Sequence, residues 1–265
     1  MDFILCLIYI ETVLVCNFTQ QKENATVCGR SSLTKNEKEL EQRFGATFYS
    51  DELLRYNPLP NYNVAPTHFH PVITEEDTAH LQLYRWGLVP FWAKDAKIGS
   101  KMINARLESI EEKPVFSKLL QAHRCIVPFD GFYEWKLFPD KHREPYRITV
   151  RDGEIFSVAG LWSKWKDPEG QTLKTFTVIT HAANRLMKDI HDRMPAILTQ
   201  EAERLWTDPD LSAKDALQLL VPFPAEEMQA YRVSDRINKV ANNDAGLIEK
   251  FSNVDKPGNI QGTLF

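Results

Sequence analysis

Several side chains in this 265-residue chain could transfer protons or hold phosphate, and each taken alone has a structural reading. His191 lies in Asp189-Ile190-His191-Asp192-Arg193-Met194-Pro195, where the neighbouring aspartate can simply fix its tautomer. Glu134 falls between aromatics in Gly131-Phe132-Tyr133-Glu134-Trp135-Lys136, and on a strand it would alternate toward solvent. Asn104 and Arg106 suit the capping and bracing of a turn. The cysteines are Cys6, Cys16, Cys28 and Cys125, with no CxxC pair and no Cys/His cluster at zinc-ligand spacing. So few cysteines in a chain of this length make no disulfide framework and point to a reducing, cytoplasmic compartment. No metal or organic cofactor is expected.

Charge narrows the field further. A formal net charge of −4 argues against coating duplex DNA by bulk electrostatics, so any nucleic-acid site must be a local patch. One basic stretch runs from Arg85 to Arg124 and includes Lys94, Lys97, Lys101, Arg106, Lys113 and Lys118. Asp95, Glu108, Glu111 and Glu112 interrupt it, and on charge alone it reads as a solvated face.

These residues need a scaffold. With 43% hydrophobic and 26% charged residues, the composition is that of a globular chain rather than a disordered one. Residues 34–44 have helical spacing, with Thr34 as N-cap and Glu37 completing a capping box. Pro58, Pro60 and Pro66 punctuate a loop whose core is Asn61-Tyr62-Asn63-Val64-Ala65-Pro66. Strands are predicted at residues 70–74, 81–86, 124–128, 131–136, 146–150, 155–161 and 176–180, and helices at 114–122, 201–206 and 212–220. Many short strands with helices scattered between them predict a single α+β domain with a largely antiparallel sheet.

Residues 1–27 look foreign to that domain. The apolar run at residues 3–10 is broken by Glu11 and is too short to span a bilayer. A secretory signal would begin with basic residues, yet the only early charge is Asp2 and no small-x-small cleavage site follows. No membrane association is expected. A polar stretch then leads into Val27-Cys28-Gly29-Arg30. Valine is what a GTG start codon becomes when it is read as internal. Initiation there would insert a methionine that is trimmed before a small residue, leaving Cys28 first. A genuine N-terminal extension is the alternative.

Order changes the reading of the individual residues. Cys28-Gly29-Arg30, Asn61-Tyr62-Asn63-Val64-Ala65-Pro66, Arg85-Trp86-Gly87-Leu88-Val89-Pro90, Asn104-Ala105-Arg106-Leu107-Glu108, Gly131-Phe132-Tyr133-Glu134-Trp135 and Ile190-His191-Asp192-Arg193-Met194-Pro195 follow one another along the chain. Together they closely resemble the SOS response-associated peptidase (SRAP) family, whose bacterial and human members shield abasic sites in single-stranded DNA. The resemblance covers residues 28–251 and implies one domain with a barrel-like, largely antiparallel sheet and peripheral helices. It also implies single-stranded DNA containing abasic sites as partner, in a cytoplasmic, nucleoid-associated setting. The lesion would be captured by an N-terminal cysteine that forms a thiazolidine with the ring-opened aldehyde.

Cys28 matches that cysteine, and the chemistry is sound. A free α-amine has a pKa of about 7.7–8.0, against roughly 10.4 for lysine, so a useful fraction is neutral in the cell. It can attack the aldehyde to give a Schiff base, and the thiol on the same residue then closes a five-membered ring on the same carbon. By the same resemblance Glu134 and His191 occupy general acid/base positions, and Asn104 orients the lesion. Arg30 and Arg106 match phosphate contacts, and Phe91-Trp92, beside Lys94, matches an aromatic wedge that stacks on bases.

One departure matters. As written, Cys28 follows Val27 through an amide, whose nitrogen lone pair is delocalised and not nucleophilic. Two rival readings follow. Cys28 and His191 could pair as a cysteine peptidase, acting once on its own N-terminus, or the chain could be a non-covalent single-strand binding module. A Schiff base could also lead to β-elimination, a lyase activity. The tail, residues 252–265, ends Gln261-Gly262-Thr263-Leu264-Phe265. It resembles the Gln-x-x-Leu-Phe peptides that dock on the replication sliding clamp, with Leu264 and Phe265 as anchors.

Overall fold

A computed structural model describes residues 28–56 and 58–252. The extension of residues 1–27 and the clamp-like peptide with Gln261, Leu264 and Phe265 lie outside the described residues. The early strands are β1 (Ser31–Leu33), β2 (Thr47–Phe48), β3 (Asn61–Val64), β4 (Phe69–Thr74), β5 (Asp77–Trp86) and β6 (Asn104–Arg106). Then come β7 (Arg124–Phe129), β8 (Gly131–Leu137), β9 (Arg143–Val150), β10 (Phe156–Lys166) and β11 (Thr172–Ala182). The last are β12 (Arg193–Pro195), β13 (Ile197–Leu198) and β14 (Met228–Arg232). The helices are α1 (Glu37–Phe44), α2 (Ser50–Tyr56), α3 (Pro114–Ala122), α4 (Gln200–Trp206) and α5 (Ala213–Gln218). Among the described residues, no helix is long and apolar enough to cross a membrane.

Strands β11, β10, β7, β4 and β5 pair antiparallel in that order, and β5 returns to pair parallel with β11. The ring therefore closes as a barrel. A second, wholly antiparallel sheet runs β14-β9-β8-β1-β3. The expected barrel-like, largely antiparallel architecture is the one observed.

Both faces of the barrel strands are covered. Val72, Tyr84, Val127, Val158 and Val178 join one core with Phe132 and Ile148 of the second sheet. Their neighbours Ile73, Leu83, Ile126, Ala159 and Ile179 join another core with Leu40, Phe116, Leu120 and Trp206 of the helices. Burial on both faces explains why these strands read as continuous apolar runs rather than alternating ones.

Two local expectations are corrected. Helix α1 is capped by Asn36, not Thr34, and Glu39 rather than Glu37 completes the capping box. Thr34 is unavailable because its N–H and Oγ1–H both donate to Asp130 Oδ2 at 2.6 Å. The loop expected at residues 61–66 is in part strand β3, paired with β1. Asn63 stays there because its Nδ2 donates to the Lys239 and Asn242 carbonyls at 3.1 and 3.0 Å, which serves the amide inside the protein.

Asp130 also accepts from Ser32 Oγ at 2.6 Å and from Arg147 Nη2 at 3.1 Å. A Cβ on Gly131 would meet Arg147 Nε at 2.7 Å, so the glycine lets the guanidinium lie against the strand. Asp130 is wholly buried, and removing it leaves the Arg147 charge buried without its partner. Asp130→Ala is expected to cost about 3–5 kcal/mol. Urea denaturation checks this, and a midpoint within a few tenths molar of the parent would contradict it.

Candidate active site

The pairing of β1 with β8 sets the centre of the site. Ser31 lies opposite Phe132, Ser32 lies opposite Gly131, and Tyr133 N–H donates to Arg30 O at 3.0 Å. Continuing this register backward sets Gly29 opposite Glu134 and brings the Cys28 nitrogen within reach of its carboxylate. The Cys28 backbone N–H donates to Glu134 Oε1 at 2.5 Å, and each residue is only 3% exposed. Glu134 does not alternate toward solvent, because the segment carrying Cys28 covers it. Cys28 itself has φ 47°, a left-handed conformation that side chains with a Cβ seldom adopt.

Burial pushes the Glu134 carboxyl up to about 7, against the lowering effect of bonds from the Cys28 and Trp135 backbone N–H groups. The charge of Asp192 adds to the rise. Burial and the Glu134 charge likewise push the Cys28 thiol upward, while Arg193 pulls it the other way. A carboxyl titrating near neutrality is thus in contact with the nitrogen and the thiol of one residue. A carboxyl with such a pKa can both take and return a proton at cellular pH.

The turn at residues 191–193 lies near enough for the charge of Asp192 to act on Glu134 and that of Arg193 on Cys28. His191 N–H donates to Met187 O at 2.8 Å, and its Nδ1 accepts the Arg193 backbone N–H at 3.1 Å. Burial lowers the imidazole pKa, so the neutral ring carries its proton on Nε2. Asp192 Oδ1 lies 3.0 Å from the same Nδ1 and would be its partner only in the protonated ring.

Arg193 was not singled out from the sequence, although it stands inside the His191 motif. Its guanidinium forks onto Glu108 at 3.1 and 2.9 Å and donates to Thr180 O at 2.7 Å. That holds a positive charge beside Cys28. Its adjacency to His191 and Asp192 was the available signal.

Asn104 and Arg106 are brought to the same end of β11, because β6 pairs with β11 and places Asn104 opposite Val178 and Arg106 opposite Thr180. Asn104 is half-buried and Arg106 is exposed. Arg30 is more committed. Its Nη1 donates to Asn63 Oδ1 at 2.7 Å and to Ile237 O at 2.8 Å, while Nη2 makes one long bond of 3.4 Å to Asn238 O. Only the Nη2 side retains capacity for a phosphate.

Phe91 and Trp92 are 73% and 59% exposed, with Lys94 beside them on the surface. They border a groove of about 450 Å³ that Pro114, Val115 and Leu119 also line. The base of their loop is fixed by contact of two backbones. A Cβ on Gly87 (φ 114°) would meet Gly99 O at 2.7 Å, and one on Gly99 would meet Gly87 O at 2.6 Å. Gly87 N–H donates to Phe176 O, four residues before Thr180 on β11, roughly 13 Å at about 3.3 Å per residue.

A family model described as SOS response associated peptidase (SRAP) matches residues 27–240. Abasic site processing protein YoqW of Bacillus subtilis (strain 168) is 46% identical over 225 residues, covering 84% of this chain and 99% of that protein. Abasic site processing protein YedK of Escherichia coli (strain K12) is 30% identical over 226 residues, again covering 84% of this chain and 99% of that protein. A crystal structure of a Bacteroides thetaiotaomicron protein superposes with a TM-score of 0.78 at 34% identity, covering 85% of this chain and all of that one.

The raised pKa of Glu134 has a stability consequence. Its carboxyl is held neutral in the folded protein up to about 7, so folding is penalised once the unfolded chain ionises near 4.5. The penalty is absent below 4.5, grows as pH rises and is complete above about 7. In the chain whose Cys28 is amide-linked to residue 27, Glu134→Gln is therefore expected to unfold later than the parent at pH 8, by on the order of 2–3 kcal/mol, with the difference vanishing toward pH 4. Thermal melts at both pH values measure this, and a variant less stable at pH 8 would contradict it.

Proposed function

The chain belongs to the SOS response-associated peptidase family, and from that premise we propose that it captures abasic sites in single-stranded DNA as a thiazolidine on Cys28. The observation that carries this is the Cys28 nitrogen held against the buried carboxyl of Glu134, with a thiol on the same residue. The mature form begins at Cys28, one residue inside the start of the family match. A terminal cysteine has no preceding carbonyl and so no φ, which removes the left-handed strain at this position.

In that form the α-ammonium takes the place of the amide and gives a proton to Glu134. The free amine attacks the aldehyde carbon of the ring-opened deoxyribose, and the carbinolamine hydroxyl leaves as water with the proton that Glu134 returns. The thiol sulfur then adds to the imine carbon, its proton ends on the ring nitrogen, and one water is lost overall. His191, neutral with its proton on Nε2, assists sugar opening as a general acid. Asn104 orients the opened sugar. Arg106, Lys94 and the Nη2 side of Arg30 receive phosphates, and Phe91 with Trp92 stack on neighbouring bases.

A cysteine peptidase is less well supported. That chemistry needs a thiolate stabilised by an imidazolium. Burial and Glu134 raise the Cys28 thiol instead, and burial lowers His191. Docking of the tail on a sliding clamp through Gln261, Leu264 and Phe265 is a separate proposal, which a clamp pulldown with and without those residues tests.

Intact mass spectrometry of the protein expressed from its native gene, incubated with an abasic oligonucleotide, tests the main reading. The expected species starts at Cys28, gains one oligonucleotide less one water, and is absent in Cys28→Ala. Capture is expected to accelerate as pH rises through about 7.7–8.0, where a free α-amine loses its proton. Glu134→Gln should slow it by about 10²–10⁴-fold at every pH in that range. A chain that keeps residues 1–27 and gains no mass would overturn the mechanism.

A further inference from the structure

Outside the Cys28 site, the turn between β4 and β5 and the residue after α3 bring Glu75, Glu76 and His123 together, with ligand atoms within 4.8 Å of one another. The Glu75 side chain is only 6% exposed. Its Oε2 accepts from Trp162 Nε1–H at 2.7 Å, and its Oε1 lies 3.6 Å from His123 Nδ1. Both of these last atoms are buried, and neither has a hydrogen-bond partner among the described residues.

The separation is too long for an N–H···O bond. It is the spacing of two ligands on one ion: donors about 2.0–2.2 Å from a tetrahedral metal stand roughly 3.3–3.6 Å apart. Burial raises the Glu75 carboxyl to about 7 and lowers the His123 imidazole, so the two do not form a firm ion pair at neutral pH. The neutral imidazole is the ligating form.

The surrounding backbone is fixed. Glu75 N–H donates to Arg124 O at 3.2 Å, Trp162 N–H donates to His123 O at 3.0 Å, and His123 N–H donates to Leu119 O at 2.7 Å. The indole bond to Oε2 turns Oε1 toward the histidine, as an outer partner orients a ligating carboxylate. Glu76 stands at the rim, with Oε2 held by Lys164 Nζ at 2.7 Å.

We propose that Glu75, His123 and Glu76 bind a divalent transition-metal ion, zinc by the character of the ligand set, with water completing its coordination. Lys164 competes for Glu76 and weakens the site.

The test is a calorimetric titration of the full chain with Zn²⁺ alone. It is done in a Cys28→Ala background, which removes the thiol as a rival ligand. Co²⁺ absorption and quenching of Trp162 fluorescence are followed in parallel. One equivalent should bind. Affinity should fall at least about tenfold in both His123→Ala and Glu75→Gln and rise several-fold in Lys164→Ala. Glu75→Gln keeps the side-chain shape and an acceptor for Trp162, so circular dichroism separates lost ligation from lost folding. No saturable binding in the Cys28→Ala chain would overturn the site, as would affinity unchanged in folded Glu75→Gln and His123→Ala.

Discussion

Asp130 gathers three separate parts of the chain on one buried carboxylate. It takes the Ser32 hydroxyl, the N–H and hydroxyl of Thr34, and the Arg147 guanidinium. Ser32 belongs to β1 and Thr34 follows directly after it, Arg147 to β9, and Asp130 precedes β8. The contact therefore fixes the order β9-β8-β1 at the centre of the second sheet. With β1 pinned, the residues before it run alongside β8, and the Cys28 nitrogen arrives at Glu134 as a consequence of register. A slip of one residue would turn Glu134 to the opposite face and dismantle the pair.

The electrostatics of the site follow from its dryness. Glu134 is buried beneath the Cys28 segment, opposite Tyr146 on β9, and it gives up part of its ionisation to be there. The fixed charge of Arg193, forked on Glu108 and braced by Thr180, opposes the rise of the Cys28 thiol. A site built this way is less stable than an apolar core would be, and the difference is what keeps a carboxyl titrating near neutral pH. The same trade recurs at Glu75, where burial again holds a carboxyl near neutrality without any part in the Cys28 chemistry.

How much of this was legible in the sequence depended on whether the decisive partner was local. Helix α3 was read to the residue, because Pro114 at its start and the apolar spacing of Val115, Phe116, Leu119 and Leu120 are self-contained signals. The cap of α1 was misplaced by two residues because the competitor for Thr34 is Asp130, far along the chain. β10 and β11 extend past their predicted ends through Lys164, Lys166, Thr172 and Lys174, polar residues whose strand character comes from pairing with each other. Motif order brought Cys28, Glu134 and His191 into one reading, whereas no spacing rule would join Glu75 to His123. Burial of Glu134 was hidden for a like reason, since what covers it comes from over a hundred positions away.

The close approach of Gly87 and Gly99 cinches the aromatic loop at its neck, so that residues 88–98 form a compact excursion with both ends in one place. Such a neck works as a mechanical ferrule. Forces on Phe91 and Trp92 pass into two backbone segments anchored on the barrel, and they do not lever the strands apart. A substitution at the tip is therefore decoupled from the pairing of β5 with β11 and from the contact between Cys28 and Glu134.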